Sequence, residues 1–189
     1  MIGPRSTDSL FQRHAALLCP QTLLEIRAQF QLDWWGYHGV EHWSRVLENG
    51  LTLCGEVPDA RPEVVVLFAL FHDACRENEH RDPEHGHKAA ALAVGYHQRG
   101  ALPVDATGLE LLVEACTGHD KGLVSMDSTI GVCWDADRLD LGRVGIRPSP
   151  RFLSTAAARK PEILENCLNA SLRGEFPRRL SWGTPEPCL

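Results

Sequence analysis

His42, the adjacent pair His72-Asp73, and Asp137 within Asp135-Ala136-Asp137-Arg138-Leu139 supply two imidazoles and two carboxylates, each in or beside an apolar helical stretch. An ionisable side chain in such surroundings costs free energy unless it has a partner, and a single bound cation would partner all four. A nitrogen and oxygen set without thiolate suits Mn²⁺, Fe²⁺, Co²⁺, Zn²⁺ or Mg²⁺ and leaves positions open to water. Nothing in the residues chooses among those ions. Taken alone, the doublet reads equally well as a core histidine followed by a capping aspartate. It gains weight because His42 and Asp137 repeat the situation on two other segments.

The elements that must carry these residues are helical. Apolar residues recur at helical spacing through Leu10, Phe11, Ala15, Leu17 and Leu18, and again after Pro20 through Leu23, Leu24, Ile26 and Phe30. A third helix is predicted from about His38 to Gly55, followed by a loop from Pro58 to Pro62. The run Val64 to Phe71 is apolar on every face, so its period alone allows a buried strand or a buried helix. Pro62-Glu63 at its start favours the helix, with proline in the first turn and an acid at the positive dipole end. His72 and Asp73 then sit at its inner end. The polar stretch Arg76 to Glu84 reads as a loop, and further helices follow from Glu84 or His85 through Tyr96, through Leu109 to Cys116, through Ile130 to Leu139, and from about Lys160 to Leu172. The fold class expected is all-α, a compact helical bundle, with the Pro-rich tail from about residue 174 irregular.

With 189 residues and 43% hydrophobic content, the chain supports one well-buried core and does not demand two, so residues 1–189 are read as a single domain. A net charge of −6 without a Lys/Arg stripe argues against extended nucleic acid as a partner, while leaving room for a local basic pocket. The seven cysteines are odd in number, scattered and free of C-x-x-C pairs, so they predict neither a disulfide framework nor a thiolate zinc site. Most read as small buried hydrophobes. No apolar run approaches membrane-spanning length and no apolar signal core opens the chain, which gives a cytoplasmic expectation and no membrane partner. Trp34, Trp35, Trp43 and Trp134 lie near the candidate ligands in sequence, and core packing is the expected role of these rings. Oligomeric state stays undecided.

The order His42, His72-Asp73, Asp137, with the last aspartate in an Ala-Asp-x-Leu setting, resembles the HD-domain superfamily of metal-dependent phosphohydrolases. The resemblance covers about residues 37–145. It extends to Glu84-His85-Gly86-His87-Lys88-Ala89-Ala90 after the doublet and to Leu139-Asp140-Leu141-Gly142 after the last aspartate. It implies an all-α HD-type domain in which His42, His72, Asp73 and Asp137 hold a divalent metal ion, with Asp73 also catalytic. The activity it implies is hydrolysis of a small phosphorylated substrate, a nucleotide among the candidates. A cation there would acidify a water and offset charge on the phosphoryl oxygens. The Ala-Asp-Arg-Leu setting favours Asp137 over Asp135, and His-x-x-Arg-Val favours His42 over His38, which shares its helix face.

In some relatives extra histidines hold a second metal, and His85 and His119 are best placed for that or for substrate; capping or exposed histidines are the plain alternative. Several branches carry an acid four positions after the doublet histidine. Here Arg76 stands in that place and Glu77 follows it. The acid/base assignment therefore stays open: Glu77 is one candidate, while Arg76 and Lys121 could contact substrate phosphate, and each is also an ordinary loop charge. The same departure favours an alternative, a non-catalytic HD module that senses a nucleotide or binds a partner. A di-iron oxygenase is a third reading.

Overall fold

A computed structural model describes residues 6–176 as eight α-helices joined by turns, loops and short 3-10 helices, with no strand among the described residues. They are α1 (Ser6–His14), α2 (Pro20–Gln29), α3 (Val40–Cys54), α4 (Pro62–Phe71), α5 (His85–Gln98), α6 (Ala106–Gly118), α7 (Ser128–Arg138) and α8 (Pro161–Arg173). Most of the expected Pro-rich tail lies outside the described residues. No helix among them is long and apolar enough to cross a membrane.

Local chemistry explains the boundaries. Pro20, Pro62 and Pro161 open α2, α4 and α8, where a missing N–H costs nothing. The Asp105 side chain accepts from Gly108 N, and Asp127 accepts from Thr129 N and Ile130 N, so α6 and α7 begin on carboxylate caps. At the other end of the chain, Gly174 stops α8 with φ of 62°, a left-handed conformation that favours glycine.

The ambiguous apolar run is helical, and it is the centre of the molecule. Every residue from Val64 to Phe71 is buried, which is why its sequence shows no polar face. α3, α6 and α7 pack around it. Gly50 of α3 makes one of these approaches close: a Cβ there would lie 2.4 Å from Val65 Cγ1. Trp34 and Trp43 pack edge-to-face with Phe30, and Trp134 is buried with its indole N–H on Ala115 O, all as expected of core aromatics. Trp35 departs from that expectation, being 49% exposed because it sits in the turn before α3 rather than on a helix face. Cys54, Cys116 and Cys133 are buried, Cys75 and Cys167 are half-buried and Cys19 is exposed; Cys188 is outside the described residues.

Candidate metal centre

α3, α4 and α7 bring the four expected ligand positions together. His42 comes from the first turn of α3, His72 caps the C-terminal end of α4 with Asp73 next to it, and Asp137 comes from the last turn of α7. Nε2 of His42 lies 3.1 Å from Nε2 of His72, 3.6 Å from Asp73 Oδ2 and 3.4 Å from Asp137 Oδ1. Ligand atoms sharing an ion at about 2.0–2.2 Å stand roughly 3 to 3.5 Å apart, so these separations fit a shared ion. Both imidazoles are wholly buried, and the Asp137 side chain keeps 15% of its surface open to a cleft.

Asp73 faces two ways. Its second oxygen, Oδ1, lies 3.2 Å from His85 Nε2 and 3.6 Å from His119 Nε2, and those two nitrogens are 2.9 Å apart. His42, His72 and Asp73 form one group able to hold an ion and Asp73, His85 and His119 another, with the Asp73 carboxylate common to both.

The hydrogen bonds on the outer nitrogens make the donor chemistry explicit. Nδ1 of His72 faces Phe68 O at 3.1 Å, Nδ1 of His119 faces Cys116 O at 2.7 Å, and Nδ1 of His85 faces Asp82 O. A carbonyl only accepts, so in each neutral ring Nδ1 carries the proton and Nε2 is a bare lone pair. His42 is held in the same way, with Nδ1 2.7 Å from Asp140 Oδ2. With the rings neutral, the Nε2 atoms meet in two close pairs, His42–His72 and His85–His119, whose lone pairs repel unless a proton or another positive charge stands near them, and Arg76 Nη1 lies 3.3 Å from His85 Nε2. A divalent cation meets that requirement, with each ring oriented from behind as metal-ligating histidines are.

The charges at the site shift in both directions. Burial pulls the His72 pKa down to about 3, against the opposing pull of Asp73, so this ring stays neutral and able to ligate. Burial also works to lower His119, but the Asp73 and Asp137 carboxylates outweigh it and hold that ring above its ordinary value. Asp73 and Asp137 are desolvated, yet the surrounding imidazoles keep both carboxyls below the usual range.

The remaining expected residues divide. Arg76 is at the site, with Nη1 3.4 Å from Asp73 Oδ1 and 3.3 Å from His85 Nε2. Glu77 is not brought there: its carboxylate pairs with Lys88 at the surface, because the turn after Asp73 aims it away. Lys121 reaches towards His87 at 3.5 Å, beside the cleft rather than in it. Asp135 takes the supporting role, accepting from Ser154 N, Thr155 N and Thr155 Oγ1 at 2.6 to 2.8 Å. His38 is outside both ligand groups, with Nδ1 2.5 Å from Glu79 Oε2.

Asp140 and Glu79 were not singled out from the sequence. Asp140 is fully buried and held by Arg45 Nε at 2.7 Å and Ser171 Oγ at 2.6 Å while it fixes His42. Its sequence signals are a spacing of three from Asp137 and its place in Leu139-Asp140-Leu141-Gly142, neither of which gives its role. Glu79 has none, since its contact spans 41 residues from within a loop.

The cleft over the site encloses about 350 Å³ and is lined by His38, Asp73, Arg76, Asp137, Arg138 and Arg143 among others. Three guanidinium groups line it beside the Asp73, Asp120 and Asp137 carboxylates, so donors for an oxyanion stand next to candidate ligands for a cation.

A solved structure described as a predicted HD superfamily hydrolase, from an uncultured Thermotogales bacterium, superposes with a TM-score of 0.60 at 21% identity, covering 82% of this chain and 87% of that one. The chain therefore has the HD-domain fold. No protein-family model and no curated protein matches it.

Proposed function

We propose that the protein is a metal-dependent hydrolase acting on a small phosphate ester, in the class that includes nucleotides. The observation that supports this most directly is the convergence of four imidazole Nε2 atoms and the Asp73 and Asp137 carboxylates below a cleft lined by arginines. His42, His72, Asp73 and Asp137 would hold one divalent ion, and His85 and His119, with the other oxygen of Asp73, would hold a second. When bound, such an ion supplies Lewis acidity, lowering the pKa of a water and offsetting charge on phosphoryl oxygens.

The chain's own residues do the rest. Arg76, Arg138 and Arg143 orient the phosphate in the cleft, with Arg138 and Arg143 anchored on backbone carbonyls: Arg138 on Phe152 O at 2.8 Å, Arg143 on Tyr37 O at 2.9 Å. Lys121 stays at the rim. His38 takes over the acid/base role considered for Glu77, because it lines the cleft and Glu79 fixes its ring. Burial pulls the His38 pKa down, with Asp73 and Glu79 working against it, which favours the neutral ring and a proton-accepting role.

A phosphate-release screen with added Mn²⁺, Co²⁺ or Mg²⁺, across nucleoside phosphates, sugar phosphates and cyclic dinucleotides, tests the reading. Metal-dependent release from at least one class is expected. Binding without release under every metal would instead support a nucleotide-sensing module, which the surface position of Glu77 also favours.

A further inference from the structure

A second cleft, of about 430 Å³, lies between the turn before α3 and the end of α8 and is lined by Trp35, Tyr37, Glu41, Arg45, Arg143 and Ser171 among others. Two features mark it out. Arg45 is only 7% exposed, and its Nη1 is buried without a hydrogen-bond partner, the Glu41 carboxylate lying 3.9 Å away, beyond hydrogen-bonding reach. A desolvated guanidinium N–H without an acceptor costs free energy, and a ligand oxygen would remove that cost. Across the same cleft, Trp35 is 49% and Tyr37 62% exposed, while Trp34, Trp43 and Trp134 are packed inside. Single exposed aromatics are ordinary, but here two flank a cleft whose floor holds an unmet cationic donor.

We propose that this cleft, which shares Arg143 with the cleft over the metal centre, is a second ligand site for a planar ring bearing an oxyanion such as a phosphate or carboxylate. The oxyanion takes Arg45 Nη1 and the neighbouring Arg143, and the ring stacks on Trp35 and Tyr37. Arg45 Nε and Ser171 Oγ both hold Asp140 Oδ1, whose other oxygen holds His42 Nδ1, so the ligand sits a short hydrogen-bonded path from the metal centre.

Calorimetric titration of the purified protein with phenylphosphonate, methylphosphonate and benzoate tests this without reading turnover, so its failure is distinct from failure of the proposed hydrolysis. Phenylphosphonate should bind roughly fivefold or more tighter than methylphosphonate. Trp35→Ala, at an exposed position, should erase that preference. Arg45→Lys should weaken both phosphonates roughly tenfold. Arg76→Ala, which alters only the other cleft, should leave the preference for phenylphosphonate over methylphosphonate unchanged. Benzoate binding that also depends on Trp35 would place carboxylates in the ligand class, and its absence would restrict the class to phosphorus oxyanions. No binding of phenylphosphonate, binding indifferent to Trp35→Ala, or binding abolished by Arg76→Ala would each overturn the proposal. If Arg45→Lys fails to fold, the Trp35→Ala comparison still decides.

Discussion

Asp140 shows how much of the centre depends on residues that touch no ligand. Its carboxylate fixes the His42 ring with Nε2 facing inward, and it is held below the ordinary carboxyl pKa: burial opposes this, but His42, Arg143 and Arg45 prevail. Asp140→Asn keeps the shape and removes the charge, so metal affinity should fall by about 10- to 100-fold with helical circular dichroism unchanged; an unchanged affinity would remove Asp140 from the account. His72 makes a second prediction. Its folded pKa of about 3 lies below the ordinary 6.5, so between those values the unfolded chain binds the extra proton and stability falls as pH drops. In chelator-treated protein, the stability advantage of wild type over His72→Gln should therefore shrink as pH falls from about 6.5 towards 3. An advantage that grew on acidification would show that the ring is not held neutral.

At the scale of elements, the α5–α6 contact sets the second ligand group. A Cβ on Gly86 would lie 2.5 Å from Cys116 O, the carbonyl that orients His119, and 3.6 Å from His119 Cε1. Gly86→Ala should push the helices apart, cost about 1–3 kcal/mol by chemical denaturation, and reduce metal bound at His85 and His119 while sparing His42 and His72. If elemental analysis shows the metal count unchanged, the second group does not hold an ion.

The helices themselves were legible because their signals are local: prolines at the starts of α2, α4 and α8, and apolar periods through the rest. Even the all-apolar α4 was settled by Pro62-Glu63. The four ligand positions were legible through their order and setting. What escaped was decided by loops and by distance along the chain. Glu77 and Glu79 lie two apart in one loop, and nothing local says which reaches His38. The exposed Trp35 and the half-buried Trp34 are neighbours in sequence, separated only by the path of the turn. Asp140 becomes informative only once α3 and α7 are seen side by side.

For the molecule as a whole, the contrast is between a net charge of −6 and a cleft lined by Arg76, Arg138 and Arg143. An anionic substrate meets attraction only locally, and that attraction is screened over about 10 Å at 0.1 M salt. KM for a phosphate ester should therefore rise with ionic strength while kcat changes little, and a salt-independent KM would argue that the arginines hold structure rather than substrate. The fold concentrates its buried ionisable groups at one place, and Asp73 is the group that both halves of that place share. Elemental analysis of the purified wild type beside Asp73→Ala, with circular dichroism as the control for folding, is the most direct test. The account predicts divalent metal in the wild type and its loss from a still-helical variant. A wild type that takes up no metal, or a variant that keeps the full load, would contradict it.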